Sequence, residues 1–260
     1  MKISIITITY NSCKTVKDTF DSVLLQDYRP LQYMVVDGCS TDGTLEIISE
    51  YKRKFEDVGI EFSYISEPDK GISDAFNKGI KNTDGELIGI INSDDMIYEG
   101  ALNILAGKYN SNTDIYYGQC VIFNDNNEDK YIAFPKDDPA RLKVAMMLYH
   151  PACFVRRSAY ETNGLFDIDL KYCMDREFLL RCFVNNCTFL KIDSPLAFYR
   201  EGGVNQKYYK KNLLEGTKIS ISYGMNPIKA YTIMALKYVK SGVWFTVKRI
   251  GAERLFHKKV

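Results

Sequence analysis

No two of the seven cysteines stand in a Cys-x-x-Cys pair, no apolar run is long enough to span a bilayer, and no glycine-rich loop follows the first predicted strand. Each absence removes a class of protein. Cysteines at 13, 39, 120, 153, 173, 182 and 187 are scattered and odd in number, which excludes a disulfide framework or zinc knuckle and favours a reducing compartment. Met1-Lys2 runs straight into Ile3-Ser4-Ile5-Ile6, so no signal peptide precedes the first strand and a cytosolic protein is expected. The turn Thr9-Tyr10-Asn11-Ser12 has no glycine, which excludes the Gly-x-Gly-x-x-Gly dinucleotide fold, and no Walker lysine loop occurs either. If a nucleotide binds, something other than a glycine loop holds its phosphates.

What is present suits one large globular domain with an appendage: 260 residues, 46% hydrophobic and 26% charged. Nineteen tyrosines fit a carbohydrate or nucleotide site without proving one. The formal charge of +1 conceals an asymmetry. From Asn205 to the end there are twelve Lys and Arg against two acids, net +10, so residues 1–204 carry 22 bases against 31 acids, net −9. An acidic body with a basic tail speaks about partners rather than fold.

Along the chain, Ile3–Tyr10 is β-branched and short, a predicted strand; Asn11-Ser12 are expected to cap a helix that buries Val16, Phe20, Val23 and Leu24. Tyr33–Val36 reads as a second buried strand ending at Asp37-Gly38, and Cys39–Thr44 as a loop capping a helix with Leu45, Ile48 and Tyr51. A third strand fits Glu61–Ser66 and a helix Ser73–Lys81. The run Leu87-Ile88-Gly89-Ile90-Ile91 is a further strand, expected to be parallel and covered on both faces. Strand–helix alternation of this kind argues for a three-layer α/β sheet.

Where that last strand ends, Asn92-Ser93 leads to two adjacent carboxylates, Asp94 and Asp95. Ligands of open α/β sheets bind beyond the carboxyl ends of the strands. Two acids there are costly to hold together unless a cation lies between them and something anionic. The plainer alternative is that Ser93–Asp95 caps the next helix.

Four segments in register resemble the family 2 glycosyltransferases of GT-A fold, over roughly residues 1–204: Thr9-Tyr10-Asn11; Val36–Thr44; Ser66-Glu67-Pro68-Asp69-Lys70-Gly71-Ile72 through Gly79; and Asn92–Asp95. The third is similar to bacterial members that build polysaccharide and O-antigen repeats. The resemblance implies a GT-A (Rossmann-like) three-layer α/β sandwich with a mostly parallel sheet. It divides the chain into a nucleotide-sugar half at 1–98, an acceptor half at 99–204 and a basic helical extension at 205–260.

By the same resemblance, Thr9 and Tyr10 lie against the nucleotide, Asp37 accepts a hydrogen bond from a uracil ring, and Asp69 and Lys70 sit near base and ribose. Asp37 read locally is simply a turn aspartate before glycine. Asn77 is either a ligand contact or a helix-face residue. Asp94 and Asp95 hold Mn²⁺ or Mg²⁺ against a diphosphate, Asp94 alternatively touching the ribose, because the first acid of the family signature is here Asn92. Asp175 is the catalytic base of an inverting transfer, with Glu177 in reserve; locally Asp175 reads as an N-cap. His150 and Glu177 are acceptor-side candidates, His150 being otherwise a structural residue before Pro151. Arg200, in Phe198-Tyr199-Arg200-Glu201-Gly202-Gly203-Val204, pairs with the diphosphate from a mobile closing loop. The expected donor is a UDP-sugar and the acceptor a saccharide or lipid-linked saccharide. Two alternatives stand beside this reading. A sugar-nucleotidyltransferase would want a glycine-rich basic loop that is missing, and an inactive scaffold is opposed by Asp94, Asp95 and Asp175 occurring together.

In the second half, a helix is expected over Ala101–Tyr109, a strand over Asp114–Phe123, a hairpin turn at Asn124–Asn127 with Lys130–Phe134 returning, and a late strand over Cys187–Ile192. Lys207–Tyr223 reads as a basic helix, and Ile228–Ile250 as another with Ile228, Tyr231, Met234, Ala235, Tyr238 and Val239 on one side, then Trp244, Phe245, Val247 and Ile250 among lysines. Such a face suits peripheral contact with the inner face of an anionic plasma membrane, or a helix pair packed on the domain. No motif supports nucleic acid.

Overall fold

The computed structural model describes residues 1–124, 131–202 and 208–249, with side chains through Ser241. Four parallel strands form its first half: β1 (Ile3–Thr9), β2 (Leu31–Asp37), β3 (Ile60–Ser66) and β4 (Leu87–Ile90), in the order β3-β2-β1-β4. In β1, β2 and β4 the side chains alternate between two covered faces, as a buried strand requires, whereas β3 at the sheet edge is buried only at Ile60. Ile3, Ile5, Tyr33 and Val35 pack under α1 (Val16–Leu24) and α2 (Thr44–Asp57), where Phe20, Tyr33 and Phe55 meet edge to face. Ile6, Met34, Val36 and Ile88 pack on the other side under α3 (Ile72–Lys81).

The sheet continues with β5 (Met96–Ile97), β6 (Ile115–Phe123), β7 (Tyr131–Ala133), β8 (Cys153–Arg156) and β9 (Phe189–Arg200), giving the order β3-β2-β1-β4-β8-β6-β9-β5, with β7 on β6. The strand β4 is thus parallel to β1 and antiparallel to β8. Gly89 makes that second pairing possible: a Cβ there would stand 2.4 Å from the Phe154 ring. The helices α4 (Ala101–Lys108), α5 (Arg157–Asn163) and α6 (Met174–Val184) cover this half, followed by α7 (Tyr209–Ser222) and α8 (Pro227–Arg249).

Four expectations need correction. Asn11 and Ser12 do not cap α1, which starts only at Val16. Asn11 turns the chain with φ 52° and Ser12 O accepts from Thr15 N and Val16 N. Their polar groups tie the first loop to the second instead: Asn11 Oδ1 accepts from Thr41 N (2.9 Å), and Ser12 N donates to Thr44 Oγ1 (2.9 Å). Ser93–Asp95 caps no helix either; the chain passes into β5, and α4 begins at Ala101 after Gly100 in the left-handed conformation. The late strand runs on past Ile192 to Arg200, accommodating Pro195 at a register shift against β6, so Phe198–Arg200 is strand rather than loop. Finally, Met234 is half-buried and lines a cleft with Ile233 and Lys237, whereas Ile228, Tyr231, Tyr238 and Val239 are exposed. The expected turn at 125–127, Gly203 to Asn205, the side chains of Trp244, Phe245 and Val247, and Ile250 lie outside the described residues.

Candidate active site

Parallel pairing brings the carboxyl ends of β1, β2 and β3 level, Thr9 opposite Asp37 and Asp37 opposite Ser66. Asp37 is fully buried. One oxygen accepts from Ser40 Oγ, the other from Ser40 N (2.9 Å) and Ser66 Oγ (2.7 Å), so this carboxylate already ties the two loops together. Thr9 Oγ1 beside it is buried with no hydrogen-bond partner among the described residues, an orphan of the kind a ligand satisfies. Tyr10 is 66% exposed at the mouth of this crevice. Its ring and the Asp69 carboxylate close over Gly38, where a Cβ would stand 3.4 Å from the ring and 2.7 Å from Asp69 Oδ2. Asp69 is held by Gly71 N (2.8 Å), and Lys70 is exposed next to it.

Asn77 belongs elsewhere. Its amide donates to Phe166 O (2.8 Å) and accepts from Phe166 N (2.9 Å), so it braces α3 against the segment leading to α6. Ser73 Oγ reinforces this on Leu170 O (2.9 Å). The expectation that Asn77 contacts nucleotide is corrected on that ground.

Asp94 and Asp95 follow β4 into the same crevice but differ in exposure. Asp95 is 1% exposed; Oδ1 accepts from Arg200 N (3.0 Å) and Oδ2 from Asn92 Nδ2 (3.3 Å). Asp94 is half-buried with its carboxylate unengaged by those groups, while its carbonyl accepts from Arg200 Nε (3.1 Å). Burial raises both carboxyl pKa values, and the neighbouring Asp94 charge raises Asp95 further. A divalent cation fits this demand, because paired, desolvated carboxylate oxygens are hard ligands short of positive charge. Among the described residues no group of three His, Cys, Asp or Glu could hold a metal, so the protein would supply one or two carboxylates and a phosphate the rest. Arg200 lies over the Phe123 ring (4.7 Å) and its Nη2 pairs with Asp18 (2.8 Å).

Asp175 occupies the first turn of α6, half-buried, with Oδ1 accepting from Arg176 N (2.7 Å). It is not the N-cap. The three backbone N–H groups just ahead of the helix are taken by Glu215 of α7, from Lys171 (3.0 Å), Tyr172 (2.7 Å) and Cys173 (2.7 Å). His150 stacks on Phe76 at 5.2 Å, and its Nε2 is enclosed without a partner among the described residues. Burial lowers its pKa while the Asp175 charge opposes. Glu177 is corrected as a reserve base or acceptor contact: it pairs with Arg181 (2.9 Å) and accepts from Tyr223 OH (2.6 Å), joining α6 to the end of α7.

Tyr199 is near enough to both acidic centres to feel their charge, and nothing in the sequence marks it. Its hydroxyl pKa is pushed up to about 12 by burial and then by Asp95, Asp94 and Asp175 together. A tyrosine in a strand carries no local mark of this; only the register of β9, with Arg200 N on Asp95, sets it there. Beside Asp175 opens a cleft of about 630 Å³, part of it open to solvent, between residues 144–146, the start of α6, α7 and α8.

Comparison with known proteins agrees with this architecture. The model of the family described as Glycosyl transferase family 2 matches residues 4–164. A PGL/p-HBAD biosynthesis glycosyltransferase of Mycobacterium bovis is 28% identical over 228 residues, covering 85% of this chain and 86% of the relative. The poly(ribitol-phosphate) beta-N-acetylglucosaminyltransferase TarS of Staphylococcus aureus is 26% identical over 242 residues, 91% of this chain but 40% of that protein. In structure, the chain is similar to S. aureus TarS 1-349 in complex with UDP-GlcNAc (TM-score 0.67, 21% identity, 90% of this chain and 71% of the other). It is similar also to the mannosyltransferase PcManGT of Pyrobaculum calidifontis in complex with GDP-Man and Mn²⁺ (TM-score 0.67, 15% identity, 98% and 81%).

Proposed function

Since the chain belongs to glycosyl transferase family 2 and is a glycosyltransferase, we propose that it moves a sugar from a UDP-sugar to a saccharide or lipid-linked acceptor in bacterial cell-surface polysaccharide synthesis, by an inverting single displacement. The observation that supports this reading is the Asp94–Asp95 pair beyond the carboxyl end of β4, with buried Asp95 accepting from Arg200 N and Asp94 half-buried beside it. In this reading residues 1–98 hold the nucleotide-sugar, 99–204 the acceptor, and 205–260 form the extension.

The nucleotide lies in the crevice between Tyr10, Gly38 and Asp69, where an exposed ring and a close backbone approach suit a planar base. Thr9 Oγ1 gains its missing partner there, and Lys70 stands within the same loop as Asp69. Asp37 reaches a uracil imide only by exchanging the Ser66 hydroxyl, and otherwise shapes the two loops. Asp94 would hold the metal, and Asp95, turned inward, accepts from Arg200 N and Asn92 beside it. Bound Mn²⁺ or Mg²⁺ would neutralise charge on the departing diphosphate. Asp175 accepts the proton of the acceptor hydroxyl, which attacks the anomeric carbon from the face opposite the diphosphate. One base suffices because no covalent intermediate forms. His150 flanks the acceptor, and Arg200 reaches the phosphates by leaving Asp18.

The extension supports a peripheral contact with an anionic inner membrane surface. Ile228, Leu236 and Val239 are 78%, 66% and 63% exposed on α8, with Lys229 and Lys240 among them. Among the described residues no helix is long and apolar enough to cross a membrane.

Calorimetric titration with UDP, GDP and CDP, with and without Mn²⁺, tests the donor. Expected are Mn²⁺-dependent binding of UDP, its loss in Asp94→Ala, and retention in Asp175→Asn. Transfer by Asp175→Asn should fall about 10²–10⁴-fold, the contribution of a general base. Preference for GDP would overturn the base assignment, and loss of UDP affinity in Asp175→Asn would move that residue into the donor site.

A further inference from the structure

The cleft beside Asp175 has a lining that the transfer chemistry does not use. Met146, Leu213, Met225, Ile233 and Met234 make much of its wall apolar. Two cations face the same space, Arg176 and Lys237. Arg176 is 4% exposed, yet its guanidinium donates only to neutral groups: Leu142 O (2.8 Å), Gly216 O (2.7 Å) and Ser220 Oγ (2.7 Å). Lys237 Nζ donates to Val144 O (2.9 Å). Among the described residues neither forms a salt bridge. Among the described residues Asp175 is the one carboxylate on this wall.

A buried guanidinium without an anion is a costly arrangement. Burial, and then the charge of Arg176, holds the Lys237 amine below its ordinary pKa. An anion in the cleft would reverse both effects. Of the five guanidinium N–H groups, three are committed to the bonds above, which leaves two for a ligand. A phosphate has oxygens enough to take these and the ammonium together. The apolar wall continues from this point along α8, where Ile233 and Met234 lie on the same inward side as Lys237.

We propose that this cleft receives the non-sugar end of the acceptor, a phosphate ester on a hydrophobic chain, with the phosphate at Arg176 and Lys237 and the chain along Met146, Leu213 and Ile233. The sugar hydroxyl is thereby delivered to Asp175, so the inference rests on Asp175 acting as the base. The C-terminal helices are then part of the acceptor site.

The test is titration of the full chain, in EDTA, with octyl phosphate, octyl glucoside and inorganic phosphate. Chelation keeps metal-held phosphate in the donor crevice from contributing. Octyl phosphate should bind at least roughly tenfold more tightly than either control, a difference that one charge-assisted contact supplies. Arg176→Met risks unfolding, so Lys237→Met carries the test, with thermal unfolding to confirm its fold. It should lose the roughly tenfold advantage. Octyl glucoside binding as well as octyl phosphate would overturn the anion site. Inorganic phosphate binding as well would overturn the apolar track, and an unchanged Lys237→Met would overturn the location. UDP with Mn²⁺ is titrated separately into the same proteins. Failure of octyl phosphate with UDP binding intact sinks this inference alone, whereas the converse sinks the donor reading and leaves the cleft.

Discussion

Glu215 is the residue whose loss the structure makes most informative. It comes from α7, is half-buried, and accepts from three successive backbone N–H groups at the entrance to α6, those of Lys171, Tyr172 and Cys173. These donors have no partner inside the helix, and a carboxylate at a helix N-terminus also meets the positive end of its dipole. In Glu215→Ala, Lys171 N can turn to water because that residue is exposed, but the N–H groups of half-buried Tyr172 and buried Cys173 are left unpaired. At about 1–3 kcal/mol for each unsatisfied group, with partial rehydration from the adjoining cleft, the expected loss is about 2–4 kcal/mol. Glu215→Gln should cost less. Tyr172 N and Cys173 N share one carboxylate oxygen, which an amide oxygen replaces, and only the Lys171 contact becomes donor against donor. Urea unfolding of the three proteins reads the stability. The functional readout is separate: Asp175 lies two residues beyond Cys173 on the same first turn, so Glu215→Gln should lower kcat for transfer while leaving UDP affinity within about twofold. A Glu215→Ala protein within about 0.5 kcal/mol of wild type would refute the capping argument. A loss of UDP affinity matching the loss in kcat would refute the positioning argument.

Asp95→Asn tests the acid pair through pH. The native Asp95 carboxyl has its pKa raised by burial and by Asp94, so native protein holds its proton to higher pH than unfolded chain and stability attributable to this group declines as pH rises above about 3.8. In EDTA the stability of Asp95→Asn relative to wild type should therefore improve from pH 4 to pH 7, and Mn²⁺ should stabilise wild type at pH 7; a pH-independent difference would contradict the assignment. Gly38→Ala would place a methyl group 2.7 Å from Asp69 Oδ2, so UDP affinity should fall about tenfold with a stability loss of about 1–3 kcal/mol, measured by titration and urea unfolding. Leu236→Glu, at a site 66% exposed, should leave the fold unchanged but abolish co-sedimentation with phosphatidylglycerol vesicles; persistent binding would remove α8 from the membrane reading.

The two helices that carry Asn77 and Glu177 show where sequence reading stops. Each residue is a polar side chain on a predicted helix near a proposed site, and nothing local distinguishes a ligand contact from a brace. The partners decide: Phe166 is 89 residues from Asn77, and Tyr223 is 46 from Glu177. The same holds for Arg176, which locally is one more charge in a helix and proves to be buried against Leu142, Gly216 and Ser220.

Residues near one another along the chain could announce what depends on them alone. The β-branched run at 3–9 and the short apolar runs within 31–37 and 87–90 specify buried strands, the helical stripes specify what covers them, and the Asp94–Asp95 doublet after a strand marks a site at a sheet's carboxyl edge. These signals are carried by side-chain periodicity and by the charge of neighbours, both written in sequence order. What the tertiary structure alone decides is which of two adjacent acids turns inward, that Tyr199 feels the charge of the acid pair and of Asp175 alike, and that Glu215 and Lys237 of the basic extension stand at the helix and cleft of Asp175. Those relations depend on strand register and helix docking across 40 to 100 residues, and no local preference encodes such distances.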